Sequence, residues 1–339
     1  MSTNRSWILG HVDEGDTPAS MSLSRAHFQA GELPMPSPQA GDVLIRSLYF
    51  ATDPLNHAWV RGVPGRFEPI PVGQPLRGGV VGEIVESRNE RWQAGEFVSG
   101  FLPWSDYNLS DGVDLTHMPL QKIPDGIHPA SGQGALGMTG ICAYVSLTDY
   151  GQTLAGDTVV VSGASGAIGA LTCQIAKLFN TRVIGLARGA EKCQFVETLG
   201  VDTAIDISEP DWAQALAAAA PDGVNVFVDN VGGEVLDQLL LQMVRGGRIV
   251  ICGATAHYNG VANITNHMML AINGLKMSGF FYFDIAHRWA DCQQRLAQWL
   301  RDGQLRDTLD IVEGFDAVPE AALGQFQSAN FGRKLIKIN

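Results

Sequence analysis

The sequence predicts an α/β protein in which a β-rich domain is joined to a doubly wound parallel sheet with crossover helices. Three observations predict it. The first third carries short β-branched runs cut by Gly and Pro, strand-like and helix-like segments alternate from about Gly134, and the tail turns β-like after the last helix. At about 150 residues per domain, a chain of 339 residues holds two separate cores.

Val43–Leu48 (VLIRSL), opened by the turn Ala40-Gly41-Asp42, is the first clear strand. Gly79–Val85 (GVVGEIV) is the next, and Glu96–Phe101 (EFVSGF) follows the turn Gln93-Ala94-Gly95. Prolines at 34, 36, 38, 64, 69, 71 and 75 punctuate the links, which suits a compact β-barrel or sandwich. Thr158–Ser162 (TVVVS) reads as a buried strand. Ile168, Leu171, Ile175 and Leu178 then recur at spacings of three and four, one face of a helix. Arg182–Leu186 is strand-like, and Glu191–Leu199 is helical up to the C-cap glycine Gly200. Ala204–Ile207, Val224–Val228, Arg248–Cys252 and Lys276–Tyr282 supply four more strands, and a helix near Ala286–Asp302 ends at Gly303. Six strands with helices between them make a doubly wound parallel sheet. The tail Ile311–Asn339, closing on KLIKI, is expected to return to the first domain. The expected boundaries are 1–126, 127–305 and 306–339.

Composition narrows the partners. Against 23 Lys and Arg stand 35 Asp and Glu, a net charge of −12. So acidic a surface repels phosphate backbones and anionic lipid, which leaves small molecules as the expected partners, with no nucleic acid and no membrane. Apolar stretches are broken by Gly or charge before they reach the length of a membrane span. The opening MSTNRSWILGHVDEGD has no apolar core of a signal peptide, so a cytoplasmic setting is expected. The five cysteines, Cys142, Cys173, Cys193, Cys252 and Cys292, are scattered and never spaced CxxC, which argues against a disulfide framework and a four-cysteine zinc site.

The strongest chemical signal follows the strand Thr158–Ser162. Gly163, Gly166 and Gly169 form a GxxGxxG that opens the amphipathic helix. The first glycine permits a tight turn, the second lets a pyrophosphate approach backbone N–H groups, and the third lets helix and sheet approach closely. Strand, glycines, helix and second strand come in the order a dinucleotide site requires. A carboxylate about 20 residues on would mark NAD. Nineteen residues after Gly169 stands Arg188 instead, with Lys192 one turn later. Two cations favour the 2′-phosphate of NADPH; the competing reading makes Glu191 the ribose ligand.

Several stretches together resemble the zinc-free medium-chain dehydrogenase/reductases, in the branch of prostaglandin reductase, alkenal double-bond reductase and curcumin reductase. They are GALGMTGICAY (134–144), GDTVVVSGASGAIGALTCQIAKL (156–178), GAEKC (189–193), PDGVNVFVDNVGGE (221–234), GGRIVICGATAHYN (246–259) and NFGRKLIKI (330–338). TDPLNHAW (52–59), VVGEIVES (80–87) and LPWSDY (102–107) match more loosely. The resemblance implies a GroES-like β domain, a Rossmann domain that binds NADPH, a C-terminal return and a homodimer. It implies pyrophosphate contacts at Ser165, Gly166, Ala167 and Ile168, a 2′-phosphate contact at Lys192, and further cofactor contacts at Asn230, at Cys252, Gly253, Ala254 and Thr255, and at Tyr258. Phe280, Phe281 and Tyr282 are expected near the nicotinamide, and Asn330 from the returning tail.

The reaction type turns on the metal. The first 141 residues contain no cysteine and the eight histidines show no HExxH or paired spacing, so the ligand set of a zinc alcohol dehydrogenase is not visible. Without a Lewis acid a simple alcohol is hard to oxidise, whereas an activated alkene accepts hydride because the charge spreads to a carbonyl as an enolate. The resemblance makes Tyr258 the candidate catalytic donor to that oxygen or to the α-carbon, and leaves the nicotinamide ribose hydroxyl as the other. Leu55, Asn56, His57, Trp104 and Tyr107 are the candidate substrate pocket. Leu55 and His57 depart from relatives that often carry tyrosine and arginine there, and Ile207 stands where a tyrosine near the 2′-phosphate is common. The expected activity is reduction of α,β-unsaturated ketones or aldehydes at the β-carbon. Quinone reduction by NADPH, or a non-catalytic NADPH-binding role, are the alternatives.

Overall fold

Turn residues cut the N-terminal third into strands short enough to fold back on one another. The computed structural model describes residues 3–12, 23–63, 65–256, 263–324 and 331–338. β1 (Thr3–Leu9) and β2 (Phe28–Pro34) form an antiparallel pair with Leu9 opposite Phe28. β3 (Val43–Ala51) starts just after Gly41, which takes φ 94°, a left-handed conformation that glycine adopts at little cost. A short helix, α1 (Leu55–Arg61), leads to β4 (Arg77–Ser87) and, through Gly95, to β5 (Phe97–Pro103). β6 (Tyr107–Ser110) pairs with β3, and β7 (Gln121–Lys122) with β5, all antiparallel. Val43, Ile45, Phe50, Val80, Val81 and Ile84 are 0% exposed, so β3 and β4 are covered on both faces.

Beyond Gly134 the period changes from two to nearly four. α2 (Met138–Val145) precedes β8 (Thr158–Ser162), α3 (Ala167–Leu178), β9 (Arg182–Ala187), α4 (Ala190–Glu197), β10 (Thr203–Asp206) and α5 (Trp212–Ala219). Then come β11 (Val224–Asp229), α6 (Gly233–Gln242), β12 (Met243–Ile251), α7 (Met269–Ile272), β13 (Lys276–Gly279) and α8 (Trp289–Arg301). The six strands pair in parallel, in the order β10-β9-β8-β11-β12-β13, the predicted doubly wound sheet. Val159, Val160 and Val161 at its centre are 0% exposed, as expected of parallel strands covered on both faces by helices. Among the described residues no helix is long and apolar enough to cross a membrane.

Three elements differ from the sequence reading. The strand expected over 276–282 stops at Gly279, because its partner β12 ends at Ile251, opposite Gly279, and offers no backbone beyond it. Phe280–Phe283 gather instead with nearby rings, Tyr282 stacking on Trp289 at 4.3 Å as a short helical turn spans Tyr282–Arg288. That turn also delays the helix expected from Ala286 to Trp289. β12 begins five residues before Arg248, with Met243 opposite Val224 ahead of a bulge; Gly246 and Gly247 mask that pairing in the sequence.

Arg248 anchors β12 from within this unit. Its guanidinium pairs with Asp157, the two side chains being 16% and 11% exposed, and donates to the carbonyls of Gly151 (2.8 Å) and Gln152 (3.1 Å). Arg248→Met strands a buried carboxylate, so urea unfolding should show a loss of about 3 kcal/mol. An unchanged midpoint and slope would show that the pair adds nothing.

The chain then supplies β14 (Leu309–Glu313), α9 (Val318–Gly324) and β15 (Arg333–Lys337). β15 runs antiparallel to β3 with Leu335 opposite Ala51, giving the order β14-β15-β3-β4-β5-β7 with β6 also on β3. By contacts the chain divides into one unit of residues 1–133, 309–330 and 334–339, and another of 134–308 and 331–333.

Candidate active site

In the parallel sheet the chain runs outward from β8 to β10 on one side and from β11 to β13 on the other. The loops after β8 and β11 therefore diverge, and a crevice opens at the carboxyl ends of these strands, where such sheets bind ligands. Gly163 leaves β8 at φ 58°, and Gly166 caps α3 with its N–H donated to Gly163 O at 2.9 Å. The next amides, Ala167, Ile168 and Gly169, lie in the first helical turn and have no acceptor within the helix, so they are free to receive an anion. A Cβ at Gly169 would lie 2.2 Å from Gly163 O, whereas one at Gly166 would meet only that oxygen, at 3.2 Å. The last glycine thus lets α3 start directly against the end of β8. Gly169→Ala must push the loop outward, and overpacking of this kind costs about 1–3 kcal/mol, so NADPH should bind about tenfold more weakly in fluorescence titration. Wild-type affinity would show that the loop yields without consequence.

β9 ends at Ala187, and Arg188 is exposed beside it. Gly189, at φ 92°, opens α4 and places Lys192 in its first turn. Burial, with the Arg188 charge adding to it, holds the Lys192 ammonium below its usual range. Neither side chain has a carboxylate partner in a salt bridge among the described residues, which suits a phosphate dianion. Glu191, the competing ribose ligand, is exposed. Asp206, at the end of β10, went unread in the sequence. Its Oδ1 accepts Gly189 N–H (2.8 Å), Ser208 N–H (2.8 Å) and the Ser208 hydroxyl (2.5 Å), fixing the turn between Arg188 and α4. The Ser208 hydroxyl, then the two amides and the Arg188 charge hold that carboxylate below its usual range.

The ends of β8, β11 and β12 are tied through Asp229, which is 0% exposed. Its carboxylate accepts the Ser162 hydroxyl (2.7 Å) and the N–H groups of Val231 (3.0 Å) and Gly232 (2.9 Å), and its carbonyl accepts Cys252 N–H (2.8 Å). Asn230 donates its side-chain amide to Ser162 O (2.8 Å), joining the ends of β8 and β11, and its backbone carbonyl accepts Thr255 N–H (3.3 Å). Cys252 and Gly253 are half-buried, and Ala254 and Thr255 exposed. The Ser146 hydroxyl lies 3.4 Å from Cys252 Sγ. Phe280 stacks on Tyr150 at 4.8 Å and Phe281 packs on Phe283, while Tyr282 is 6% exposed and turned into the interior. Tyr258 and Asn330 lie outside the described residues.

The substrate candidates belong to the other unit. Asp53 Oδ1 accepts Leu55 N–H (2.9 Å) and Asn56 Oδ1 accepts Asp53 N–H (2.8 Å), an Asx turn that starts α1. Leu55 and Tyr107 keep partial exposure. Asn56, His57 and Trp104 are 3%, 0% and 1% exposed, and Trp104 stacks on Phe50 at 6.1 Å. These three are buried in the β-rich unit, where Trp104, a candidate pocket residue, packs against Phe50.

Among the described residues no three His, Cys, Asp or Glu side chains gather as a metal site. Residues 167–301 match a family model described as zinc-binding dehydrogenase, and 15–118 one described as the N-terminal domain of oxidoreductase. The chain is 33% identical to the NADPH-dependent curcumin reductase of Escherichia coli over 99% of its length and 97% of that protein's. It is 32% identical to mouse prostaglandin reductase 1, covering 98% of each. The crystal structure of CurA from Vibrio vulnificus in complex with NADPH superimposes with a TM-score of 0.87 at 32% identity, covering 99% of both chains. The switch-point crevice, the glycine loop and these full-length similarities agree: the chain belongs to the medium-chain dehydrogenase/reductase superfamily, in the NADPH-dependent double-bond reductase branch of prostaglandin, alkenal and curcumin reductases.

Proposed function

We propose that this chain reduces the carbon–carbon double bond of α,β-unsaturated ketones or aldehydes with NADPH, by hydride transfer to the β-carbon. The observation that carries this reading is the switch-point site with its cation pair, in a chain similar along its whole length to reductases of that kind. Bound NADPH would supply the hydride. The α3 amides at Ala167 and Ile168 would receive the pyrophosphate, and Arg188 and Lys192 the 2′-phosphate. Gly163, whose φ of 58° favours glycine, and Gly169, where a side chain would crowd the loop, fit that group. In the substrate unit, Leu55 and Tyr107 have surface to offer, while Asn56, His57 and Trp104 are buried. Tyr258 would donate its phenol hydrogen to the developing enolate oxygen. A homodimer belongs to the same reading, and sedimentation velocity would check it.

Removing one such donor costs about a hundredfold in rate. Tyr258→Phe should therefore lower kcat by about that factor with the NADPH dissociation constant unchanged, read by steady-state kinetics beside a binding titration. Unchanged turnover would take Tyr258 out of the mechanism and leave the ribose hydroxyl. A spectrophotometric panel tests the reading itself, setting NADPH and NADH against small enals, bulky enones and quinones. Enone or enal turnover with NADPH supports it. Turnover of quinones alone would make the chain a quinone reductase, and binding without oxidation a non-catalytic one.

A further inference from the structure

We infer that the tail tripeptide Phe331-Gly332-Arg333 is a working part of the dinucleotide site, with Gly332 the positioning residue that prepares the glycine loop for a pyrophosphate. This inference rests on the NADPH reading and goes beyond it.

These three residues cluster with the parallel-sheet unit, while the chain on either side of them clusters with the other. Gly332 forms a parallel bridge with Gly166, and its N–H donates to Ser165 O at 2.8 Å. On its other side Arg333 N–H donates to Thr308 O at 2.7 Å. Gly332 takes φ 70°, and a Cβ there would stand 2.0 Å from Thr308 O, so conformation and space both demand glycine. Phe331 sets its ring edge-on to Phe195, centroids 5.5 Å apart, on the helix that carries Lys192. The tripeptide therefore touches the glycine loop and the 2′-phosphate helix together.

The Ser165–Gly166 peptide is held at both ends. Its carbonyl is occupied by Gly332 N–H, and its N–H by Gly163 O. Without Gly332, the Ser165 carbonyl would present an unpaired negative dipole at a loop that must receive a doubly charged pyrophosphate. With it, that oxygen is satisfied within the protein and the neighbouring α3 amides keep their direction. Gly332 need touch no ligand to do this.

The test compares two ligands by calorimetry. NADPH carries a pyrophosphate; adenosine 2′-monophosphate engages only the Arg188–Lys192 end. In Gly332→Ala, NADPH should bind about tenfold more weakly, the loss expected from one contact beside an anion, while adenosine 2′-monophosphate keeps its affinity within about twofold. A general structural role would weaken both alike, and that outcome, or no loss for NADPH, overturns the inference. Should the variant not fold, amide exchange in the wild-type protein decides. NADPH must slow exchange at Gly332 more than adenosine 2′-monophosphate does, and equal slowing overturns the inference. Wild-type protein that binds no NADPH would instead bring down the reading beneath it.

Discussion

Replacing Arg188 and Lys192 together by alanine should lower kcat/KM for NADPH by about 10³-fold while leaving NADH within about twofold. The magnitude comes from two charge-assisted contacts of about 2 kcal/mol each, with tenfold per 1.4 kcal/mol. Each cation lacks a carboxylate partner in a salt bridge among the described residues, so its removal strands no buried anion and stability should hardly change. The same pair predicts a pH dependence. Burial and the Arg188 charge lower the Lys192 pKa in the free protein, and a bound phosphate dianion favours the protonated amine. Binding must then take up a proton once free Lys192 has lost its own, so NADPH affinity falls as pH rises. The fall begins below the usual lysine value of about 10.4. NADH affinity should show no such decline, and Lys192→Ala should abolish the slope. Equal losses for the two dinucleotides would place the adenosine end elsewhere.

Asp229→Ala should cost about 4 kcal/mol of unfolding free energy, read from urea transitions at constant slope. The carboxylate is 0% exposed and accepts from the Ser162 hydroxyl and the amides of Val231 and Gly232. Truncation leaves these three donors in the interior at about 1–1.5 kcal/mol each. Asp229→Asn keeps the shape and the Oδ1 acceptor that all three donors reach, and sets its N–H₂ against the second Gly232 contact alone, so about a third of the loss should remain. Because the same carboxylate aligns the Asn230 turn with the end of β8 through Ser162, both variants should also bind NADPH less tightly. Wild-type stability in the alanine variant would show that water satisfies the turn unaided.

What could be read in the sequence was local. The glycine spacing, the TVVVS strand and the helix face of Leu171 and Ile175 each lie within one turn or one strand, and counting on from Gly169 reached Arg188. The ties that hold the site reach across the fold. Asp206 meets Gly189 from 17 residues away, Ser162 meets Asp229 from 67, and Gly332 meets Ser165 from the far end of the chain. No periodicity encodes such pairs. Phe280–Phe283 failed for another reason: an aromatic run suits a strand or a packed turn equally, and only the length of β12 decides between them. Trp104 follows a strand and looks available, yet Phe50 covers it, which only the register of β3, β4 and β5 fixes.

Following the hydrogen itself tests the central claim most directly. With NADPH deuterated at the transferable C4 position and an α,β-unsaturated ketone as substrate, chelator-treated protein should yield a saturated ketone with one deuterium at the β-carbon, read by NMR. Deuterium on the carbinol carbon of an unsaturated alcohol, or product formed only after zinc is restored, would contradict the account.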